Sequence, residues 1–186
     1  QMCRGARPSP VPFFHVGWLS SIAAVWLAGG TLVFPADDTH NGARMAGFQP
    51  QQVWQSIANH VNGSSVNTLV VVPAMLHAIE NNAPADIQSF PGVQLILIGG
   101  QSAASSTIQF LSRIFLNARV VQTYACTEAA SSLTFLDVKT YSPALIDTKI
   151  AGDCVGVPPK HVQLGIFRTD QFGSRFIVHT PHTVGI

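Results

Sequence analysis

Three short predicted strands, two of them almost wholly apolar and all separated by stretches that suit helices, constrain the fold of this chain most. None of the three alternates apolar and polar residues, as is usual for strands that are buried on both faces of a sheet. They comprise residues 68–72, 94–98 and 119–123. Helices are predicted around them at residues 50–60, 73–81 and 105–116, and the first two open on proline. This order of strands and helices predicts an α/β fold with a largely parallel sheet covered by helices.

Shorter strands are predicted on either side of this unit. One occupies residues 31–34 and stops at Pro35, and three more follow Glu128 at residues 132–135, 161–167 and 175–179. Loops that contain glycine or proline join the last three, so we expect a β-rich C-terminal part with short strands. No internal repeat or clear linker divides the sequence.

The composition narrows the classes of function. Charged residues make up 10% of the chain, against about 25% in a typical soluble domain. A highly buried core would account for the low charge. The low charge would also be expected if the chain is a section of a larger protein, which is the explanation that we favour. The hydrophobic content of 47% excludes a disordered chain. The net charge of +1 and the absence of any basic run exclude a nucleic-acid-binding surface.

The cysteines and the longest apolar stretch bear on the compartment. Cys3, Cys126 and Cys154 are odd in number and widely spaced, which argues against a disulfide framework and against a zinc site. We therefore expect a reducing, intracellular compartment. Residues 18–28 are apolar but include two serines, and they are far shorter than the roughly 20 residues that cross a bilayer. The basic, proline-rich N-terminus lacks the apolar core of a secretory signal.

Polar residues follow two neighbouring strands of the predicted parallel sheet, where ligands bind in open α/β folds. After residues 94–98 come Gly99 and Gly100, whose bare backbone lets a flat ligand approach closely. The next strand runs into Tyr124, which offers an aromatic face for stacking. Thr127 then offers a hydroxyl and Glu128 a carboxylate suited to Mg²⁺. The sequence therefore predicts a site for a purine nucleotide and its metal ion.

Residues 124–128 read Tyr-Ala-Cys-Thr-Glu, which resembles the Tyr-Gly-x-Thr-Glu signature of adenylate-forming enzymes, the acyl-CoA synthetase and ligase superfamily. Ala125 departs from the signature glycine and reduces the backbone freedom at that position. Further segments resemble the family in the same order, at residues 12–17, 27–30, 33–35, 71–76, 98–100 and 155–158. Residues 127–135 and 181–183 are similar to one branch of it, the plant-type 2-succinylbenzoate–CoA ligases of phylloquinone synthesis.

The resemblance implies that residues 12–186 form the central part of an AMP-binding domain, truncated at both ends, with residues 1–11 unmatched. In the family, a lysine-containing phosphate loop precedes the segment that corresponds to Pro12. A Thr-Gly-Asp segment follows the segment that corresponds to Ile186. The family also has a C-terminal domain with a catalytic lysine. None of the three is found in the sequence, so we expect a partial adenylate-forming N-terminal domain that does not complete the reaction and lacks parts of its own domain.

The reaction that the resemblance implies has two steps. A small-molecule carboxylate attacks the α-phosphate of ATP to give an acyl-adenylate and pyrophosphate, and the thiol of CoA then displaces AMP. ATP, Mg²⁺ and CoA are therefore the expected cofactors and co-substrates. Gly99, Gly100 and Gln101 would line one face of the adenine ring. Tyr124 would stack on the other face, and Ala125 would belong to the same binding segment.

The resemblance also implies the residues nearest the reaction. Thr127 would contact the phosphate and Glu128 would ligate Mg²⁺, so these two are the expected catalytic residues. His15 and Ser102 would lie near the acyl substrate. By the same resemblance, a plastid or a peroxisome is the expected compartment.

Two other functions stay open from the residues. Residues 100–104 (Gly-Gln-Ser-Ala-Ala) nearly match the nucleophile elbow of α/β-hydrolases, with Ser102 as the nucleophile. Acids and then histidines follow in the order of such a triad: Asp137, Asp147, Asp153, His179 and His182. A non-catalytic fragment that binds a nucleotide or another protein is the third reading. We favour the ligase because a single short motif often occurs by chance.

Overall fold

The computed structural model describes residues 15–33, 39–40, 43–44, 48–59, 66–87, 89–140, 154–171, 173 and 175–179. The helices in these ranges are α1 (Val16–Leu27), α2 (Pro50–Ala58), α3 (Pro73–Asn81) and α4 (Ser105–Ile114), with a 3-10 turn at Thr127–Ala129. The strands are β1 (Thr39–His40), β2 (Ala43–Arg44), β3 (Thr68–Val71), β4 (Leu95–Ile98), β5 (Arg119–Cys126), β6 (Ser131–Asp137), β7 (Ile166–Thr169) and β8 (Arg175–His179). None of the described helices has the length and apolarity that crossing a membrane requires.

The central sheet has the order β3-β4-β5-β6. The first three strands run parallel, with Leu69 beside Ile96 and Ile96 beside Val120. β6 runs antiparallel to β5, because the short turn between them cannot make the crossover that a parallel pair needs. The α/β prediction is confirmed, with a sheet that is mixed and mostly parallel. β1-β2 and β7-β8 form separate antiparallel pairs.

The hydrophobic core lies on one face of this sheet. Both crossovers move one strand in the same direction, so right-handed connections place α3 and α4 on the same face. Ile96 and Ile98 of β4 are fully buried there, whereas Leu95 and Leu97 on the opposite face are only partly covered by the described residues. The two crossover helices contribute most of the side chains that close the buried face, among them Leu76, Ile79, Leu111 and Ile114.

An aromatic cluster joins α2 to the rest of the core. Trp54 of α2 stacks on Phe115, which follows α4, with ring centroids 6.1 Å apart and planes 8° apart. It also stacks on Phe90 at 5.9 Å and meets Phe110 edge-on at 6.4 Å. The indole Nε1 donates a hydrogen bond to the Ile79 carbonyl at 3.1 Å. The buried indole thus packs its rings and satisfies its polar atom at once.

Most predicted elements agree with the structure to within a few residues, but the short β1-β2 pair was not predicted and three further points differ. The strand predicted at residues 31–34 is wrong for 31–33, which follow the left-handed Gly29 and join none of the described sheets; residue 34 lies outside the described residues. The strand predicted at 161–167 begins only at Ile166. α1 was not predicted, because its 12 residues are mostly apolar and carry no charge, so no polar face sets off an apolar stripe.

An ion pair lies at the end of the β5–β6 pair opposite the 3-10 turn. The guanidinium Nε of Arg119 donates to Asp137 Oδ2 at 2.9 Å, and the backbone N–H groups of Lys139 and Thr140 donate to Oδ1. Partial burial by itself would raise the pKa of Asp137, but the hydrogen bond and charge of Arg119 and the two N–H groups hold that pKa below its usual range. The carboxylate therefore stabilises the fold in its charged form.

Replacing Asp137 by asparagine is expected to lower the free energy of unfolding by about 1 kcal/mol at neutral pH. Because the folded-state pKa lies below the unfolded value, the carboxylate contributes above about pH 4 and its contribution is lost as the pH falls through the folded pKa. Urea unfolding of both proteins should show the difference shrinking between about pH 5 and about pH 2. Asp86→Asn, at an exposed aspartate after α3, controls for the lost charge, and equal effects of the two changes would contradict the assignment.

Candidate functional site

The first part of the site is the glycine loop, residues 99–104, which connects β4 to α4. Its first backbone N–H, from Gly99, donates to the Val71 carbonyl of β3 at 3.1 Å. A Cβ at position 99 would lie 3.4 Å from the Thr123 hydroxyl of β5, so the loop passes close to that strand. Gly100 has φ +87°, a left-handed conformation that favours glycine. Glycine at position 100 therefore serves the turn, and position 99 lies in van der Waals range of β5.

The far end of the glycine loop is held by β5. The side-chain Oε1 of Gln122 accepts a hydrogen bond from the Ala103 N–H at 3.1 Å, and Gln122 is only 5% exposed. Gln122 was not among the predicted site residues. The sequence does not single it out, because it is one of three polar residues in the predicted strand at 119–123, although polar side chains are buried mainly where they have partners.

The second part of the site is the signature segment, Tyr124 to Glu128, at the end of β5. Tyr124 is 48% exposed and lies two residues after Gln122, so strand alternation directs both to the same face. The pairing of β5 with β6 shifts register between Tyr124 and Ala125, as bulges beside functional sites do. Thr127 and Glu128 follow in the 3-10 turn, and both are exposed.

The backbone after Glu128 adopts conformations that are rare for residues other than glycine. Ala130 has φ 60° and Ser131 has φ 153°, and such values cost about 1–3 kcal/mol each. The Ala130 N–H donates to the Thr127 carbonyl at 3.0 Å and closes the turn. The Ser131 hydroxyl donates to the Ser20 hydroxyl of α1 at 2.8 Å. The turn is therefore held both from within and from α1.

His15 lies at the start of the helix that reaches this turn. It is the N-cap of α1, and its Nδ1 accepts a hydrogen bond from the Gly17 N–H at 3.1 Å. His15 is exposed and precedes Ser20 by about 7.5 Å along the helix axis. The structure thus gives His15 a capping role and places its helix against the strand that follows Glu128.

Ser102 and the residues of the hydrolase alternative do not assemble in the described part of the chain. Ser102 is exposed in the glycine loop, beyond the C-terminal end of β4. Asp137 lies beside Val121, at the opposite end of the sheet, and is paired with Arg119. The other acids and His182 lie outside the described residues, and His179 is in β8. Among the described residues, no three His, Cys, Asp or Glu side chains form a metal-binding group.

The remaining features of the described residues are structural. Cys126 and Cys154 are partly buried free thiols. A small apolar cavity lies between α2, α3 and β3 and is lined by residues such as Val53, Leu69 and Met75, with no residue of the glycine loop in its lining. Its apolar lining is typical of a packing defect, whereas a nucleotide site needs convergent polar groups. The ends of β4 and β5 thus carry a glycine turn, an exposed aromatic ring, a hydroxyl and a carboxylate within two adjacent segments.

The chain matches the sequence model of a protein family described as AMP-binding enzyme, over residues 7–171. A curated relative, the chloroplastic/peroxisomal 2-succinylbenzoate–CoA ligase of Arabidopsis thaliana, is 30% identical over 93% of this chain. The chain spans about 30% of the length of that relative.

Solved structures share the fold. The N-terminal domain of FACL13 from Mycobacterium tuberculosis matches with a TM-score of 0.65 at 20% identity, over 94% of this chain and 38% of that one. The o-succinylbenzoate CoA synthetase of Bacillus subtilis, in complex with its acyl-adenylate intermediate, matches with a TM-score of 0.60 at 21% identity, over 94% and 30% of the two chains. The same synthetase in complex with ATP and magnesium ion matches with a TM-score of 0.62 at 20% identity, over 94% and 30%.

Proposed function

This chain belongs to the AMP-binding family of adenylate-forming enzymes, and from that premise we propose that its strand ends bind the adenine nucleotide of an ATP-dependent acyl-CoA ligase. One observation carries the proposal: the glycine loop is hydrogen-bonded to β5 immediately before the exposed ring of Tyr124. The backbone of the loop and an exposed aromatic side chain are then both at the C-terminal edge of a parallel sheet, where nucleotides bind in α/β folds.

Within this proposal, the glycine loop contributes Gly99, Gly100 and Gln101 to one face of the adenine ring. Tyr124 stacks on the other face, and Ala125 follows it in the same segment. The ring is half exposed, so it can be covered by a base without displacing core residues. Stacking on an aromatic side chain tolerates any purine, and the closeness of the loop backbone selects for a thin, planar ligand.

The 3-10 turn would serve the phosphates. The Thr127 hydroxyl can donate to a phosphate oxygen, and the exposed Glu128 carboxylate is a suitable ligand for Mg²⁺. A single carboxylate fits this ion, which ordinarily binds one or two carboxylates together with substrate phosphates. When bound, Mg²⁺ would neutralise phosphate charge. The residues themselves position the triphosphate, because carboxylate attack on the α-phosphate depends mainly on orientation and charge stabilisation.

The whole reaction is proposed for the whole protein. In the first step the carboxylate oxygen bonds to the α-phosphorus and pyrophosphate leaves; in the second the CoA sulfur bonds to the acyl carbon and AMP leaves. His15 and Ser102 are assigned to the acyl side of the site. The favoured acid is 2-succinylbenzoate, in a phylloquinone-type pathway, because the curated relative carries that name at 30% identity. Its chloroplastic/peroxisomal name likewise supports a plastid or a peroxisome.

Two substitutions in this chain test the nucleotide site. Tyr124→Ala should weaken binding of AMP about tenfold because a stacking surface is lost. Glu128→Gln should leave AMP binding unchanged and weaken the Mg²⁺-dependent part of ATP binding, because a metal ligand is lost. Titration calorimetry with AMP, and with ATP with and without Mg²⁺, measures both effects.

The control is Glu80→Gln, at the other glutamate of the chain. Glu80 accepts a hydrogen bond from Thr107 in the first turn of α4, which glutamine can also accept, and it belongs to neither the glycine loop nor the signature segment. Glu80→Gln should change neither affinity. Unchanged ATP·Mg²⁺ binding in both Tyr124→Ala and Glu128→Gln would show that the site lies elsewhere, and absence of binding by the unsubstituted chain would overturn the proposal for these residues.

A further inference from the structure

The described residues contain two glutamines that are almost completely buried, and they differ in their partners. Gln122 of β5 is 5% exposed and its Oε1 accepts from the Ala103 N–H. Gln52 of α2 is 4% exposed, and neither atom of its amide has a hydrogen-bond partner in the structure. Burial of an amide therefore does not by itself explain Gln122, whose distinguishing feature is the bond to the glycine loop.

The glycine loop has two backbone anchors. Its Gly99 N–H is bonded to the Val71 carbonyl of β3, and its Ala103 N–H to Gln122 of β5. Residues 100–102 lie between the two anchors, and Gly100 is in the left-handed region. Because Gly100 adds little conformational preference of its own, the bond from the Ala103 N–H to Gln122 ties the end of this segment to β5.

Gln122 and Tyr124 belong to the same strand and are separated by one residue. A rigid strand advances by about 3.3 Å per residue, so any group bonded to Gln122 is held at a set distance from the Tyr124 ring. The intervening Thr123 approaches Gly99 from the same strand, within 3.4 Å of where a Cβ would lie. β5 therefore determines both the position of the aromatic ring and that of the loop opposite it.

We propose that Gln122 is a positioning residue that fixes the gap between the glycine loop and Tyr124 through its hydrogen bond to the Ala103 N–H. The nucleotide role of that gap rests on the proposed function, whereas the positioning itself does not. Without the acceptor at Gln122, the buried Ala103 N–H loses its partner, and an unpaired buried N–H is costly enough to move the loop towards water.

The test compares Gln122→Met with Gln52→Met. Methionine has nearly the volume of glutamine and no comparable acceptor, so the same change removes a partnered amide in one variant and an unpartnered amide in the other. Hydrogen exchange of the Ala103 amide, measured under native conditions, should become about tenfold faster in Gln122→Met and stay unchanged in Gln52→Met. AMP affinity should fall about tenfold in the first variant alone. Gln122→Asn has a shorter side chain, which places the amide oxygen out of reach of the Ala103 N–H. It should also speed the exchange of the Ala103 amide and lower the AMP affinity, and it replaces Gln122→Met in the test if that variant does not fold.

The outcomes separate the two proposals. Unchanged Ala103 exchange in a folded Gln122→Met or Gln122→Asn variant would overturn the positioning role. Equal changes in the Gln122 and Gln52 variants would also overturn it, because they would reflect global stability. If the unsubstituted chain does not bind AMP but Ala103 exchange responds as expected, the positioning role stands and the proposed nucleotide function fails.

Discussion

Replacing Gly156 by alanine is expected to lower the free energy of unfolding by about 2–4 kcal/mol. Gly156 has φ +84°, and a Cβ there would lie 2.5 Å from the Leu136 nitrogen and closer still to the Phe135 carbonyl. A left-handed alanine costs about 1 kcal/mol, and overlap with backbone adds about 1–3 kcal/mol because the backbone must move. Phe135 exchanges two hydrogen bonds with Val157, at 3.0 and 3.1 Å, which such a movement would disturb.

The matched control for this change is Gly29→Ala. Gly29 also has a left-handed φ, +64°, but nothing lies within 4 Å of the Cβ that would be added. Its substitution should cost about 1 kcal/mol, the conformational part alone. Urea unfolding of the three proteins measures the difference. If Gly156→Ala is no more destabilising than Gly29→Ala, then residues 154–157 do not pack on β6 as the structure has them.

Replacing Phe115 by alanine is expected to cost about 3–5 kcal/mol of unfolding free energy. The Phe115 ring is fully buried, stacks on Trp54 and contacts Phe90 at a centroid distance of 6.2 Å. Its removal leaves a cavity at the junction of α2, α4 and the loop before β4, where rigid rings relax little. A cost near the upper end of the range is expected because two aromatic contacts are lost with the buried area.

The neighbouring leucine provides the comparison. Leu116 is 59% exposed, so Leu116→Ala should change the free energy of unfolding by less than about 0.5 kcal/mol. The fluorescence of Trp54, which Phe115 covers, should shift towards longer wavelength in native Phe115→Ala but not in Leu116→Ala. Similar costs for the two variants would place the centre of the core elsewhere.

The sequence predicted the central βαβαβ unit well because β3 and β4 are almost wholly apolar, and it predicted the starts of α2 and α3 because both helices begin at prolines. Pro50 and Pro73 stand at the first positions of α2 and α3, as expected. The sequence did not show that β6 turns back along β5, because the apolar content of a strand does not indicate its direction. It also did not show α1, because a helix that is apolar all round has the periodicity of neither a strand nor an amphipathic helix.

The sequence indicated which residues form the candidate site, but it did not indicate how they are arranged in space. Tyr124 and Glu128 could be chosen because they follow a buried strand and resemble a family signature. Gln122 could not, because its partner is a backbone N–H of another loop and leaves no trace in composition. Gly156 belongs to a segment that resembles the family, Val-Gly-Val-Pro, but the sequence does not show why a glycine stands there. The structure shows the reason, which is the close passage of the Gly156 backbone past Phe135.

The hairpin formed by β5 and β6 affects the order in which this fold can assemble. Closing a chain loop costs more entropy as the loop grows, and β5 and β6 are joined by a turn only a few residues long, whereas each parallel pair must close a crossover with a helix in it. Hairpins form in about 1–10 µs, and local pairings precede distant ones in folding. Thr127 and Glu128 therefore lie in the hairpin that can form first, before the parallel strands pair.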